Sequence, residues 1–122
     1  MTLARQAVGR LGEAMACRAL EARHYAIVAR RYRTRWGELD IVARDGATLV
    51  FIEVKARSGA GFGQPHEAVT PQKQQRIAAM AAEYLAAHRL GDVACRFDVV
   101  GIDVDADPPT ITVLQDAFRP GW

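Results

Sequence analysis

The dipeptide Asp45-Gly46 stands between two runs that both read as strands, residues 38–44 and 48–55. A D-G pair flanked this way is a strong short-range signal for a β-hairpin, and a hairpin commits the chain to at least one antiparallel pair. Any sheet that contains it is antiparallel or mixed. The remaining segments decide which. Residues 4–23 carry Val8, Leu11, Met15, Ala19 and Leu20 at three- and four-residue spacings, which predicts an amphipathic helix. Gly9 and Gly12 weaken that helix by up to about 1 kcal/mol each relative to Ala, so a close packing contact is expected there.

Residues 25–32 are β-branched and aromatic enough for a strand. Residues 56–69, with Gly59, Gly61, Gly63 and Pro65, read as a loop, and Phe62 and His66 lie within it. Thr70-Pro71 opens a second helix with a capping hydroxyl and a first-turn proline. Its buried stripe is Ile77, Met80, Ala81, Tyr84 and Leu85, with Gly91 as terminator. Residues 96–103 form another strand, Pro108-Pro109 break it, and residues 110–114 form the last. The order α-β-β-β-α-β-β gives an α/β fold, a mixed central sheet flanked by helices, in one domain over residues 1–122.

Within the hairpin, residues two apart share a face. Phe51, Glu53 and Lys55 point one way, and Val50, Ile52 and Val54 the other. With Asp45-Gly46 as a two-residue turn, Arg44 pairs with Ala47 and Glu38 faces Glu53. Asp40 then faces Phe51, one diagonal step from Glu53. Asp40, Glu53 and Lys55 thereby share a face, although a one-residue slip would turn Asp40 to the other. Two carboxylates about 5 Å apart repel by roughly 3 kcal/mol at an effective dielectric near 20. A divalent cation converts that repulsion into binding, and hard oxygen donors are what Mg²⁺ or Mn²⁺ prefer. Lys55 beside them could orient water or offset phosphate charge. The competing reading is an exposed hairpin face laced by ion pairs among Glu38, Asp40, Glu53 and Lys55.

The segments 37–42 (Gly-Glu-Leu-Asp-Ile-Val) and 51–57 (Phe-Ile-Glu-Val-Lys-Ala-Arg) resemble the active-site hairpin of the PD-(D/E)XK nuclease superfamily. From Gly9-Arg10-Leu11-Gly12-Glu13, through Arg96 to Val100, to Asp116-Ala117-Phe118, the chain is similar to the YraN-like family of small bacterial proteins. That family is related to archaeal Holliday-junction resolvases. The resemblance implies a restriction-endonuclease-like core, Asp40 and Glu53 as metal ligands, the Val54 carbonyl as a further ligand, and Lys55 as the catalytic lysine. It also implies a place in the site for Glu13, which the sequence alone reads as a helix-surface residue.

The expected function is a Mg²⁺- or Mn²⁺-dependent endonuclease acting on DNA, branched or otherwise structured. The alternative is a non-catalytic nucleic-acid-binding module on the same fold, and a partner-binding scaffold is a third reading. Gln72, Lys73 and Arg76 in the first turns of the second helix suit phosphate contacts or solvent equally, and Lys73 is the preferred auxiliary group. Arg57 could clamp a phosphate. Glu38 could join the metal or hold an arginine. His24 and His88 read as surface residues at helix ends, and Arg96 with Asp98 as a structural ion pair.

A net charge of +2 is too mild to identify a nucleic-acid partner, although Arg23, Arg30, Arg31, Arg33 and Arg35 crowd one segment. Cys17 and Cys95 lack C-x-x-C spacing, which fits a reduced, cytoplasmic protein with no zinc knuckle. No apolar run reaches membrane-spanning length, no signal-peptide pattern opens the chain, and no G-x-x-x-x-G-K-[ST] loop supports an NTPase. Cutting two symmetric strands would call for a homodimer.

Overall fold

The structure is a computed structural model that describes residues 3–57 and 69–121. Its elements run α1 (Leu3–Ala22), β1 (Ala26–Thr34), β2 (Gly37–Asp45), β3 (Thr48–Arg57), α2 (Pro71–Ala87), β4 (Cys95–Asp103) and β5 (Thr110–Leu114). The order is the one expected. The loop expected over residues 56–69 is shorter at its start, because β3 continues through Ala56 and Arg57. Residues 58–68, with Phe62 and His66, lie outside the described residues.

The five strands form one sheet in chain order, β1-β2-β3-β4-β5. Three neighbouring pairs are antiparallel, and β3 runs parallel to β4. A parallel pair needs a crossover, and α2 supplies it. The sheet is therefore mixed, with an apolar cluster on each face. Ala16, Cys17 and Leu20 of α1 meet Ile41, Ala43, Val50, Ile52, Val100 and Ile102 on one face. Ile77, Met80, Ala81 and Tyr84 of α2 meet Leu39, Val42, Phe51, Phe97 and Val99 on the other.

The buried stripe of α2 matches its 3.6-residue pattern, and Thr70 caps it by accepting the Lys73 N–H at 3.2 Å. Its end differs from expectation. Arg89, not Gly91, takes the left-handed turn (φ 56°), with Leu90 N–H bonded to Leu85 O and Arg89 N–H to Ala86 O. Those two bonds satisfy the last helical carbonyls without glycine. His24 (φ 70°) ends α1 in the same way. His24 and His88 are exposed helix-end residues, as the sequence suggests.

The stripe of α1 is rotated from the expected one. Leu11 is 49% exposed, while Gly12, Glu13, Ala16, Cys17 and Leu20 are buried. Gly12 is the physical reason. A Cβ there would overlap the Cβ of Ala56, so only glycine lets α1 settle this closely on β3. A Cβ at Gly9 would meet open space instead, and packing does not explain that glycine.

Arg96 and Asp98 form the expected ion pair, which proves to be the centre of a larger network. Asp98 is fully buried and accepts from Arg96 Nε (2.9 Å) and Nη2 (3.0 Å), Tyr25 Oη (2.8 Å) and the Asp116 N–H (2.9 Å). Arg96 also holds Asp45 at 2.9 Å, and the Asp98 carboxylate raises the guanidinium's pKa. These bonds tie the β2–β3 turn, the start of β1 and the end of β5 to β4.

Two stability outcomes follow. Gly12→Ala lowers the denaturant midpoint sharply, whereas Gly9→Ala leaves it unchanged or raises stability by about 0.5–1 kcal/mol. Asp98→Ala leaves Arg96 with Asp45 alone and takes the acceptor from Tyr25 Oη and the Asp116 N–H, which costs about 3–5 kcal/mol, read by urea unfolding.

Candidate functional site

The hairpin's register sets the geometry of the acids. Asp45 pairs with Thr48, Val42 with Phe51 and Ile41 with Ile52. The turn residues are therefore Gly46 and Ala47, with Gly46 at φ 61°, rather than Asp45 and Gly46. A left-handed first position followed by an ordinary residue is the II′ pattern, which asks for glycine first. The expected pairing is thus displaced by two residues, and Asp40, not Glu38, comes level with Glu53. An even displacement leaves side chains on their faces.

The β2–β3 pairing ends at Ile41 and Ile52. Beyond it Asp40 takes over from the backbone, its Oδ2 accepting the Val54 N–H at 2.8 Å. Side-chain alternation also breaks here. Leu39 and Val42 both pack on the α2 side and Ile41 on the α1 side, so the pleat skips a step at Asp40. Neighbouring Arg31 has a left-handed backbone (φ 52°), and Ala29 and Tyr32 also share the α2 side. Such a conformation is uncommon for a long side chain. Asp40 stays close enough to Glu53 and Lys55 for the charges of both to act on its carboxyl. Glu53 and Lys55 keep the face of Phe51, and Asp40 sits at the break between β2 and β3.

Burial and then the charge of Glu53 raise the Asp40 pKa to about 7, against the opposing Val54 N–H bond. Two carboxylates therefore meet here in a poorly solvated place. Lys55 Nζ lies 3.5 Å from Glu53 Oε1, with both side chains mostly covered. Lys73 of α2 approaches Lys55, and that contact, reinforced by burial, lowers its pKa. The site occupies the C-terminal half of β3 and the first turn of α2, and the Arg96 network lies on the N-terminal side of it, with Arg96 level with Val50 and Asp98 with Ile52.

Glu13 is 7% exposed, not the surface residue that sequence alone suggests. Its charge contributes to raising the Asp40 pKa, yet its Oε1 is held by Arg31 Nε (2.9 Å) and Arg30 Nη2 (3.4 Å). Arg30 and Arg31 were legible only as members of an arginine-rich run. Their pairing with α1 carries no local sequence signal. Among the described residues, no group of three or more His, Cys, Asp or Glu side chains could hold a metal ion. Glu38 is exposed and pairs with Arg33 at 3.1 Å. Gln72 and Arg76 are exposed on α2, and Arg57 ends β3 with its carbonyl accepting the Val104 N–H at 3.0 Å.

Residues 12–102, a span containing Glu13, Asp40, Glu53, Lys55 and Lys73, match the family described as "Uncharacterised protein family UPF0102". Similar chains, each called a UPF0102 protein, occur in several bacteria. The Geotalea daltonii chain is 46% identical, covering 91% of this chain and 88% of that relative. The Acidothermus cellulolyticus chain is 47% identical, covering 94% and 96%, and the Geobacter metallireducens chain 43%, covering 98% of both.

The Asp40 shift has a definite pH signature. A carboxyl whose folded pKa lies above its unfolded value binds more protons in the native state, so its contribution to stability is lost as pH rises. Between about pH 4 and 7 the metal-free protein should lose up to about 4 kcal/mol from this group and then level off. Asp40→Asn removes that component and makes the metal-free protein more stable at pH 8. Urea titrations across this range, in EDTA, read both effects, and an unchanged pH slope in the variant would refute the assignment.

Proposed function

This chain belongs to the UPF0102 family, and we propose that it is a metal-dependent nuclease of the PD-(D/E)XK type, hydrolysing phosphodiester bonds in DNA. The carrying observation is the meeting of Asp40 and Glu53 where β2 and β3 part, with Lys55 alongside. A near-neutral buried carboxyl beside a second acid is a costly arrangement, and such groups concentrate at functional sites. The strand order and the crossover through α2 are compatible with a restriction-endonuclease-like core.

The donor chemistry fits Mg²⁺ or Mn²⁺. Mg²⁺ characteristically binds through one or two carboxylates, keeping water and substrate phosphate as its other ligands, so it does not require a third acid. Asp40 and Glu53 would hold the ion, with the Val54 carbonyl as a further donor. When bound, the ion supplies positive charge against the phosphate and lowers the pKa of water.

The protein's own groups have separate tasks. Val54 N–H orients the Asp40 carboxylate from one side. Lys55, at 3.5 Å from Glu53, orients that acid and places an ammonium where charge develops on phosphate. Lys73 adds positive charge beside Lys55, at the N-terminal end of α2, whose dipole favours anions. Arg57, Gln72 and Arg76 extend phosphate contact outward. Glu13, held by two arginines, adds negative charge near Asp40, which a bound cation would offset. A homodimer, offering two sites to two strands, and a cytoplasmic location, suited to the free thiols Cys17 and Cys95, belong to the same proposal.

The test is cleavage of labelled branched, duplex and single-stranded DNA with Mg²⁺ or Mn²⁺. Wild type should cut at least one, Lys55→Met should be slower by about 10²–10³-fold, and Asp40→Asn and Glu53→Gln should be inactive. Calorimetry should show Mn²⁺ binding that both carboxylate variants lose. DNA binding without turnover or metal uptake would establish the non-catalytic module instead.

A further inference from the structure

Away from the acids, the turn joining β1 to β2 displays a large aromatic side chain just after two arginines. Trp36 is 52% exposed, the most exposed large hydrophobic residue among those described. Arg35 precedes it directly and Arg33 lies three residues before it, with side chains 75% and 80% exposed. The Arg35 guanidinium lies 5.9 Å from the indole centroid. This pairing keeps the ring's aromatic surface in a cationic setting.

The turn is anchored. Buried Thr34 accepts the Trp36 N–H at 3.1 Å and donates to Gly37 O at 2.9 Å. Gly37 takes φ 130°, a conformation open to glycine. Arg35 reaches across to Glu83 of α2 through its Nε (3.0 Å) and its backbone N–H (3.4 Å). The indole is therefore presented from a braced turn on the α2 side of the sheet. Trp36, in the turn just before β2, stands four residues from Asp40, at most roughly 13 Å at strand rise.

We propose that this turn is a second contact surface for nucleic acid, in which Trp36 stacks on an unpaired base while Arg33 and Arg35 hold neighbouring phosphates. An aromatic face accepts any base, and arginines beside it follow the backbone, which is the chemistry of single-strand recognition. The carboxylate partners Glu38 and Glu83 do not prevent this. Exposed ion pairs are weak and screened, so a guanidinium can exchange a carboxylate for a phosphate. The spacing to Asp40 is a few nucleotides of an extended strand, so unpaired DNA would lie across both surfaces. The inference deepens the nuclease reading by naming its substrate class, but the surface itself needs neither metal nor turnover.

Fluorescence titration with a single-stranded oligonucleotide, in EDTA, tests it. Wild-type tryptophan emission should be quenched on binding. Trp36→Phe should retain binding while losing that quench, since Trp122 is the other tryptophan in the sequence. Trp36→Ala should weaken single-strand binding by about 5- to 150-fold, with thermal melting unchanged and little effect on a fully paired duplex. Arg33→Ala with Arg35→Ala should reduce the slope of log K against log salt by about 1.4, at about 0.7 for each phosphate no longer neutralised. Equal single-strand affinity in wild type and Trp36→Ala, or equal losses on duplex and single strand, overturns the proposal. Trp36-dependent binding without any cleavage would sustain this inference while refuting the nuclease reading, and cleavage that ignores Trp36 would do the reverse.

Discussion

The bond from Val54 N–H to Asp40 Oδ2 stands where the hairpin stops being a regular ladder. A backbone donor that has lost its strand partner must find another acceptor, because leaving it unpaired in a covered place costs about 1–3 kcal/mol. Asp40 provides one. In doing so its carboxyl is drawn into the gap between β2 and β3, next to Glu53 and away from bulk water. The local solution to a hydrogen-bonding problem is what creates the paired-acid site.

That site has an electrostatic frame built from both layers. On the α1 side, Glu13 is buried but compensated by Arg30 and Arg31. On the α2 side, Lys55 contacts Glu53 and Lys73 approaches Lys55. Gly12 is what permits the first arrangement, since a larger residue would lift α1 from Ala56 and carry Glu13 with it. Meanwhile the Asp98 network lies just N-terminal to the acids, with Arg96 level with Val50 and Asp98 with Ile52.

Strand assignments were legible because alternation and turn chemistry are local. The hairpin, the capped α2 and the closing strand all carry their signals within a few residues. Register was less legible. The Asp45-Gly46 pair suggested its own turn, yet a left-handed Gly46 followed by Ala47 satisfies the same reversal one residue later. The face of Glu53 and Lys55 survived, because the resulting displacement is even. The position of Asp40 could not be reached that way, since the skipped pleat beside Arg31 is invisible to a period-two argument. The α1 stripe erred for a related reason: hydrophobicity favoured Leu11, whereas close approach selected the face of Gly12.

By itself the sequence determined the element order, the mixed character of the sheet, the E-x-K strand and the acidic arm opposite it. These depend on backbone preferences and side-chain periodicity, which act over a few residues. Only the tertiary structure decided that Asp40 meets Glu53 through a break in the pleat, that Glu13 is buried against two arginines, and that Lys73 reaches Lys55. Each of those depends on how far two separately folded elements can approach. That distance follows from packing, from the room left by Gly12, and from where an interrupted ladder finds its next acceptor.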